Sequence, residues 1–252
     1  MGNLTGKTAV VSGASGQANF GSAIARRLAA EGAHVVVSAR RHEPLQALAD
    51  DIGGMAVACD MGEEAQIEAL FAAASERYGR VDMAVYSAGF QVFGAIADLD
   101  VDQIQPTLDI SFTGALLFFK HAAAAMKEGG SVVTMSSLTA RLPGPGMAVY
   151  AGVRAGIDYA LRVAAVEYAE RRVRFNSVAA GLIKTDMTAE FFAMEPIIDA
   201  HLRETPAGRM GTLDDVAEAV LFLLDENRSG YVNGQVLDLA GGQQMGRLPH
   251  FE

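Results

Sequence analysis

Ser131–Gly181, SVVTMSSLTARLPGPGMAVYAGVRAGIDYALRVAAVEYAERRVRFNSVAAG, reads as a buried strand ending in Ser136-Ser137, a Pro/Gly-rich loop, a long helix opening with Tyr150 and Arg154, and another buried strand. Residues at i and i+4 share a helix face, so Tyr150 and Arg154 are neighbours. A strand-end hydroxyl, a phenol in the first helical turn and a guanidinium one turn later can converge on one point as an acid/base site. The alternative is a Tyr and an Arg that merely begin a surface helix. The rest of the chain decides between these readings.

The same alternation extends in both directions. TAVVS (Thr8–Ser12), HVVVS (His34–Ser38), MAVAC (Met55–Cys59), VDMAVYS (Val81–Ser87), SVVTM, VRFNSV and QVLDL are short apolar runs, separated by stretches of helical periodicity such as Glu63–Tyr78, Asp102–Met126 and Leu213–Leu224. Continuous apolar strands alternating with helices predict an α/β fold: a doubly wound, Rossmann-type parallel sheet of about seven strands covered on both faces. No linker, low-complexity tract or internal repeat divides the sequence, so one domain is expected over residues 1–252. Ligands bind such sheets at the carboxyl ends of the strands. Ser12–Gly21, Ala39–Arg41, Asp60–Met61, Ser87–Gly89, Ser136–Ser137 and Ala180–Thr185 all fall there.

Half of the 252 residues are apolar, enough for a sizeable core, and the formal net charge is −10. That balance argues against nucleic acid or an anionic membrane as a partner. No apolar run reaches spanning length, and no signal peptide is visible at the start. A lone cysteine, Cys59, excludes an intrachain disulfide and suits a reducing cytoplasm; its apolar strand points to core packing. His34, His42, His121, His201 and His250 are scattered without metal-ligand spacing, so no metal is expected. A Gly-x-Ser-x-Gly hydrolase elbow is absent.

Between the first strand and first helix lies SGASGQANFGSAIA. Gly13, Gly16 and Gly21 permit tight turning, and the helix start offers N–H groups and a positive dipole end to a pyrophosphate. Gly13, Ser15, Gly16, Phe20 and Gly21 are therefore candidate dinucleotide contacts, an ordinary flexible loop being the alternative. The second strand ends in Ser38-Ala39-Arg40-Arg41 with no acid for a ribose diol. An acid there would repel a 2′-phosphate, whereas Arg offers it a planar charged fork. NADP(H) is the expected cofactor, with Arg40 the principal contact and Arg41 beside it, unless both are solvated loop residues. Asp60, with Met61 next to it, is placed to accept from the adenine amino group or simply to hold a turn.

Together these residues resemble the short-chain dehydrogenase/reductase family over essentially the whole chain. The resemblance is carried by the Gly-rich turn, Cys59-Asp60-Met61, Ser87-Ala88-Gly89, Ser136-Ser137, Tyr150 thirteen positions after Ser137, Val173–Gly181 and Gly234–Gly242. It implies that Ser137 orients a substrate carbonyl, Tyr150 exchanges the proton, and the cation at 154 holds the nicotinamide ribose. It places Ala88 and Gly89 along the cofactor and turns Ile183 and Thr185 towards the carboxamide. It also implies a homodimer or homotetramer through the Asp102–Met126 and Tyr150–Tyr168 helices, whose later halves are apolar nearly all round.

Several positions depart from the family pattern. Arg154 stands where the family has Lys, and Ser111 where it has the Asn that helps to hold a relay water. Tyr86-Ser87-Ala88-Gly89 replaces Asn-Asn-Ala-Gly, Ala180-Gly181 replaces Pro-Gly, and the Gly-rich turn is two residues longer. Tyrosine ordinarily titrates near pH 10, and bringing it to about 7 takes roughly 4 kcal/mol. Arg can supply the charge but stays protonated, so an altered proton path or slower rate is expected. Residues 182–212 are expected to form a lid, with Phe191, Phe192, Met194, Ile197 and Ile198 closing over a substrate or packing elsewhere. With Phe90, Phe93 and Met147 nearby, the expectation is an NADP(H)-dependent oxidoreductase for a small apolar or aromatic carbonyl or alcohol. The alternative is a nucleotide-binding sensor or partner subunit with little turnover.

Overall fold

The computed structural model describes residues 4–246; His250 and both ends of the 1–252 span lie outside them. Seven strands lie among the described residues: β1 (Thr8–Ser12), β2 (His34–Ala39), β3 (Met55–Ala58), β4 (Met83–Tyr86), β5 (Gly130–Ser137), β6 (Val173–Ala180) and β7 (Val236–Leu239). They form one all-parallel sheet in the order β3-β2-β1-β4-β5-β6-β7. The order reverses between β1 and β4, which opens a crevice at that point of the edge.

Among the described residues ten α-helices connect the strands: α1 (Phe20–Ala30), α2 (His42–Ile52), α3 (Glu64–Tyr78), α4 (Val101–Leu108), α5 (Gly114–Ala125), α6 (Ala148–Glu167), α7 (Ala189–Phe192), α8 (Glu195–Glu204), α9 (Leu213–Leu224) and α10 (Glu226–Ser229). The strand pleat divides the core between the two faces. Val11, Val37, Val85 and Val133 pack with Ile24 and Leu28 of α1, Leu45 of α2 and Val220 of α9. Their neighbours Val10, Val36, Ala84 and Val132 pack with Leu70 of α3, Phe118 of α5 and Leu161 of α6. Both faces are dry, which is why the strands read as unbroken apolar runs.

The helix expected over Asp102–Met126 is divided. A π-turn over Asp109–Thr113 separates α4 from α5. Pro106, which lacks an N–H, lies just upstream, and the Tyr86 hydroxyl donates to the Ile110 carbonyl within the widened turn. The apolar stretches of α5 and α6 are not buried on every side within one chain: Leu116, Tyr159, Val163 and Val166 are exposed. The 182–212 segment carries α7 and α8, and a parallel bridge from Ile183 to Gly211 joins its two ends.

Candidate active site

The phosphate turn is built by close backbone packing. A Cβ on Gly13, whose φ is +71°, would lie 2.7 Å from the Ala88 nitrogen, so β1 and β4 approach here only through glycine. Asn19 caps α1: its Oδ1 accepts from Ser22 N at 2.8 Å in a capping box. The expected set of N–H groups at this helix start is therefore shared with protein acceptors. Ser22 is taken by Asn19, and Ala18 N donates to the Asp186 carboxylate at 3.1 and 3.3 Å. Phe20 and Gly21 open the helix ahead of the capped Ser22 N–H.

Gly13, Ser15, Phe20, Arg40, Arg41, Asp60, Met61, Ala88, Gly89 and Thr185 line one cleft of about 590 Å³, within the range of small-molecule sites. Gly16 and Gly21 lie within the turn behind it; a Cβ on Gly16 would collide with Asn19 and Asp186. Ile183 is set apart, lining a smaller cavity with Gly211 and Ala240. The two arginines differ. Arg41 is committed to the turn, donating Nη2 to the Ser15 carbonyl at 3.0 Å, whereas Arg40 is exposed with no hydrogen bond or ion pair among the described residues. One Asp60 oxygen accepts from Gly62 N at 2.9 Å, so this carboxylate does hold its turn. Cys59 is buried beneath, and desolvation pushes its thiol up to about 11.

Strand β5 and helix α6 carry the candidate reactive groups. Ser137, 8% exposed, caps the turn after β5 by accepting from Thr139 N at 3.2 Å and Thr139 Oγ1 at 2.9 Å. Its own hydroxyl hydrogen stays available. Tyr150 lies in the first turn of α6, 6.1 Å from the Phe93 ring, and its phenol has no hydrogen bond among the described residues. Arg154, also 8% exposed, places its guanidinium carbon 5.2 Å from the Tyr150 ring centre and donates Nη1 to the Met135 carbonyl at 2.8 Å. Its Nη2 lies 2.7 Å from where a Cβ on Gly89 would stand, which joins this group to the cleft. The buried Arg154 Nε has no protein partner. Ser111 neighbours Gly89 too, but its hydroxyl exchanges bonds with the Phe90 N–H and carbonyl, both 3.0 Å, so its hydrogen is spent on the backbone.

Three residues contribute here that the sequence reading missed. Asp158 accepts from Ser136 Oγ at 2.8 Å and Ser177 Oγ at 3.0 Å; its i+4 spacing from Arg154 was a visible signal. Burial raises its carboxyl above the usual range, against the pull of both serines and of the Arg141 and Arg154 charges. Asn19 followed by Ser22 at a helix start was the sequence mark of a cap. Asp186, which exchanges two-way bonds with the Ala18 backbone, left no sequence signal across a separation of 168 positions. Among the described residues no cluster of His, Cys, Asp and Glu gathers for a metal, and no helix is long and apolar enough to cross a membrane.

The Gly-closed cleft, the N–H groups at the start of α1, the open guanidinium of Arg40 and the orphan Arg154 Nε fit an anionic, hydroxyl-rich dinucleotide. Comparison with known proteins agrees: the family described as enoyl-(acyl carrier protein) reductase matches residues 13–244. The chain belongs to the short-chain dehydrogenase/reductase family of NAD(P)-dependent oxidoreductases. Among curated relatives it is 34% identical to 3beta-hydroxysteroid dehydrogenase 1 of Eggerthella lenta, covering 96% of this chain and 95% of that protein. It is 33% identical to the human 3-oxoacyl-[acyl-carrier-protein] reductase, covering 91% and 95%. A short-chain type dehydrogenase/reductase from Mycobacterium ulcerans superposes with a TM-score of 0.93 at 29% identity, covering 98% of this chain and 93% of that one.

Proposed function

We propose that the protein interconverts a carbonyl and a secondary alcohol with NADP(H), acting on a small apolar or aromatic substrate. The observation that carries this reading is the juxtaposition of Tyr150 and the buried Arg154, whose Nη2 abuts Gly89 at the nucleotide cleft. The nicotinamide supplies or accepts the hydride when bound. Ser137 accepts two bonds from Thr139, so it donates its hydroxyl to the substrate oxygen and orients it. Tyr150 gives that oxygen a proton in reduction and takes it in oxidation. Arg154 stabilises the phenolate by charge and offers Nε and Nη2 to ribose hydroxyls, but passes no proton onward. The proton therefore reaches Tyr150 from solvent rather than through residue 154. Ser111 fixes the loop beyond Gly89.

The preference for NADP(H) rests on Arg40, which keeps its whole donor set for a 2′-phosphate while Arg41 braces the Ser15 turn. Phe90, Phe93 and Met187, all substantially exposed, give the substrate side of the cleft an apolar character. Residues 182–212 act as the lid. Leu116, Tyr159, Val163 and Val166 on α5 and α6 form the face through which copies associate as a dimer or tetramer, and the lone buried cysteine suits the cytoplasm.

A second reading, a nucleotide-binding sensor or partner subunit with little turnover, is favoured by Arg154 leaning on the Met135 carbonyl and by the committed Ser111. The deciding experiment titrates NADPH and NADH by fluorescence and follows absorbance with hydrophobic ketones, diketones and alcohols. Turnover that Tyr150→Phe abolishes establishes the enzyme; tight binding without turnover selects the sensor. Preference for NADH removes the role given to Arg40.

A further inference from the structure

Asp158 is a carboxylate in an unusual place. It is 7% exposed and lies on α6 one turn beyond Arg154. Its two oxygens bind hydroxyls from different strands, Ser136 near the end of β5 and Ser177 in β6. Register explains the convergence: Thr134 pairs with Ser177, and Ser136, two residues on from Thr134, shares that face of the sheet. One side chain thus fastens α6 to both strands beneath the reactive edge. Ser136 is adjacent to Ser137, while Tyr150 and Arg154 lie on α6 above it.

Charge gives this anchor a second property. Arg154 is a buried cation whose protein hydrogen-bond acceptor is a neutral carbonyl, and a buried cation needs compensation. The charged groups that bear on Asp158 are Arg154 on its own helix and Arg141 in the turn after β5; β6 faces it with neutral Ser177 and β5 with neutral Ser136.

We propose that Asp158 is a positioning residue of the active site: it fixes the seating of α6 on β5 and β6, and its negative charge compensates Arg154, so that Ser137, Tyr150 and Arg154 face one point. This inference rests on the proposed acid/base role of Tyr150. Its chemistry distinguishes it from simple structural support. Because burial raises the Asp158 carboxyl, its contribution to folding is most favourable below the ordinary carboxylate pKa and is lost as pH rises through the higher folded value. Wherever the carboxyl is ionised, its charge is therefore held at some expense to the fold.

The test is Asp158→Asn, which keeps the shape and two hydrogen-bonding atoms but removes the charge. The expected result is a roughly tenfold fall in kcat, with KM for NADPH within about twofold and the neutral-pH Tm held or raised. In an Arg154→Met background the same change should cost less than about twofold. A fall in Tm that accompanies the loss of activity, or equal losses in both backgrounds, overturns the proposal, as does a wild-type kcat in Asp158→Asn. Tyr150→Phe separates the two levels of inference. If it retains full turnover, the acid/base reading fails; if it abolishes turnover while Asp158→Asn changes nothing, only the role of Asp158 fails. Asp158→Ser, which leaves a smaller polar group, repeats the comparison should the Asn variant misfold.

Discussion

At the β2 end of the sheet edge Arg40 stands in solvent, whereas at the β5–α6 end Arg154 is 8% exposed and braced on the Met135 carbonyl. The side chain is the same, and the surroundings reverse its use. An exposed cation is cheap to keep, moves freely and offers every donor to a ligand. A buried one is fixed by its neighbours, and changing any of them moves it. Nucleotide choice should therefore be adjustable one residue at a time, while the reacting end should respond as a unit.

The largest effect expected at the buried end is from Tyr150→Phe: about 10²- to 10⁴-fold lower kcat, with NADPH affinity within a few-fold by fluorescence titration. Arg154→Lys is the sharper trial of the comparison. Lysine keeps the charge but loses the planar fork, so kcat/KM should drop about tenfold; an unchanged or faster enzyme would mean that the burial of Arg154 does not fix the site. At the exposed end, Arg40→Ala should weaken NADPH about 10- to 100-fold, the worth of one charge-assisted bond at about 1.5–3 kcal/mol. NADH affinity should stay within twofold, and Arg41→Ala should matter less than Arg40→Ala because its fork already holds Ser15.

Asp215, which caps α9 and lines the smaller cavity rather than the nucleotide cleft, supplies the smallest effect. Arg209 and the Thr212 cap hold its carboxyl well below the usual range, so its stabilisation is present above the ordinary carboxylate pKa and is lost as pH falls through the lower folded value. Asp215→Asn should lower Tm by roughly 2–4 °C at neutral pH, about 1 kcal/mol for a weakened cap, with kcat unchanged. Thermal scans should show the gap to wild type closing only in strong acid.

The same contrast governs what could be read from the sequence. The strands were legible because both sheet faces are dry, so burial is written into every position of runs such as Val35-Val36-Val37. Tyr150 and Arg154 were legible because helical spacing alone makes them neighbours. Strand five ends at Ser137, as its sequence indicated, and its pairing with β6 runs on to Ala180. The partnership of Asp158 with Ser177 requires that same strand register, and the clasp of Asp186 on Ala18 requires the whole fold. Neutral β-branched runs announce themselves; polar contacts between distant segments do not.

The π-turn at Asp109–Thr113 sets the phase of everything after it. Each α-helical residue advances the face by about 100°, so removing one residue from this turn would spin α5 by that angle relative to α4. Phe118 and Ala122, now fully buried, would swing from the sheet, and Lys120 would be driven towards it. A one-residue deletion there should abolish cooperative unfolding, although substitutions at exposed positions on either side are absorbed. The turn works as a gear between two helical faces, one matched to the loop after Gly89 and the other to the core.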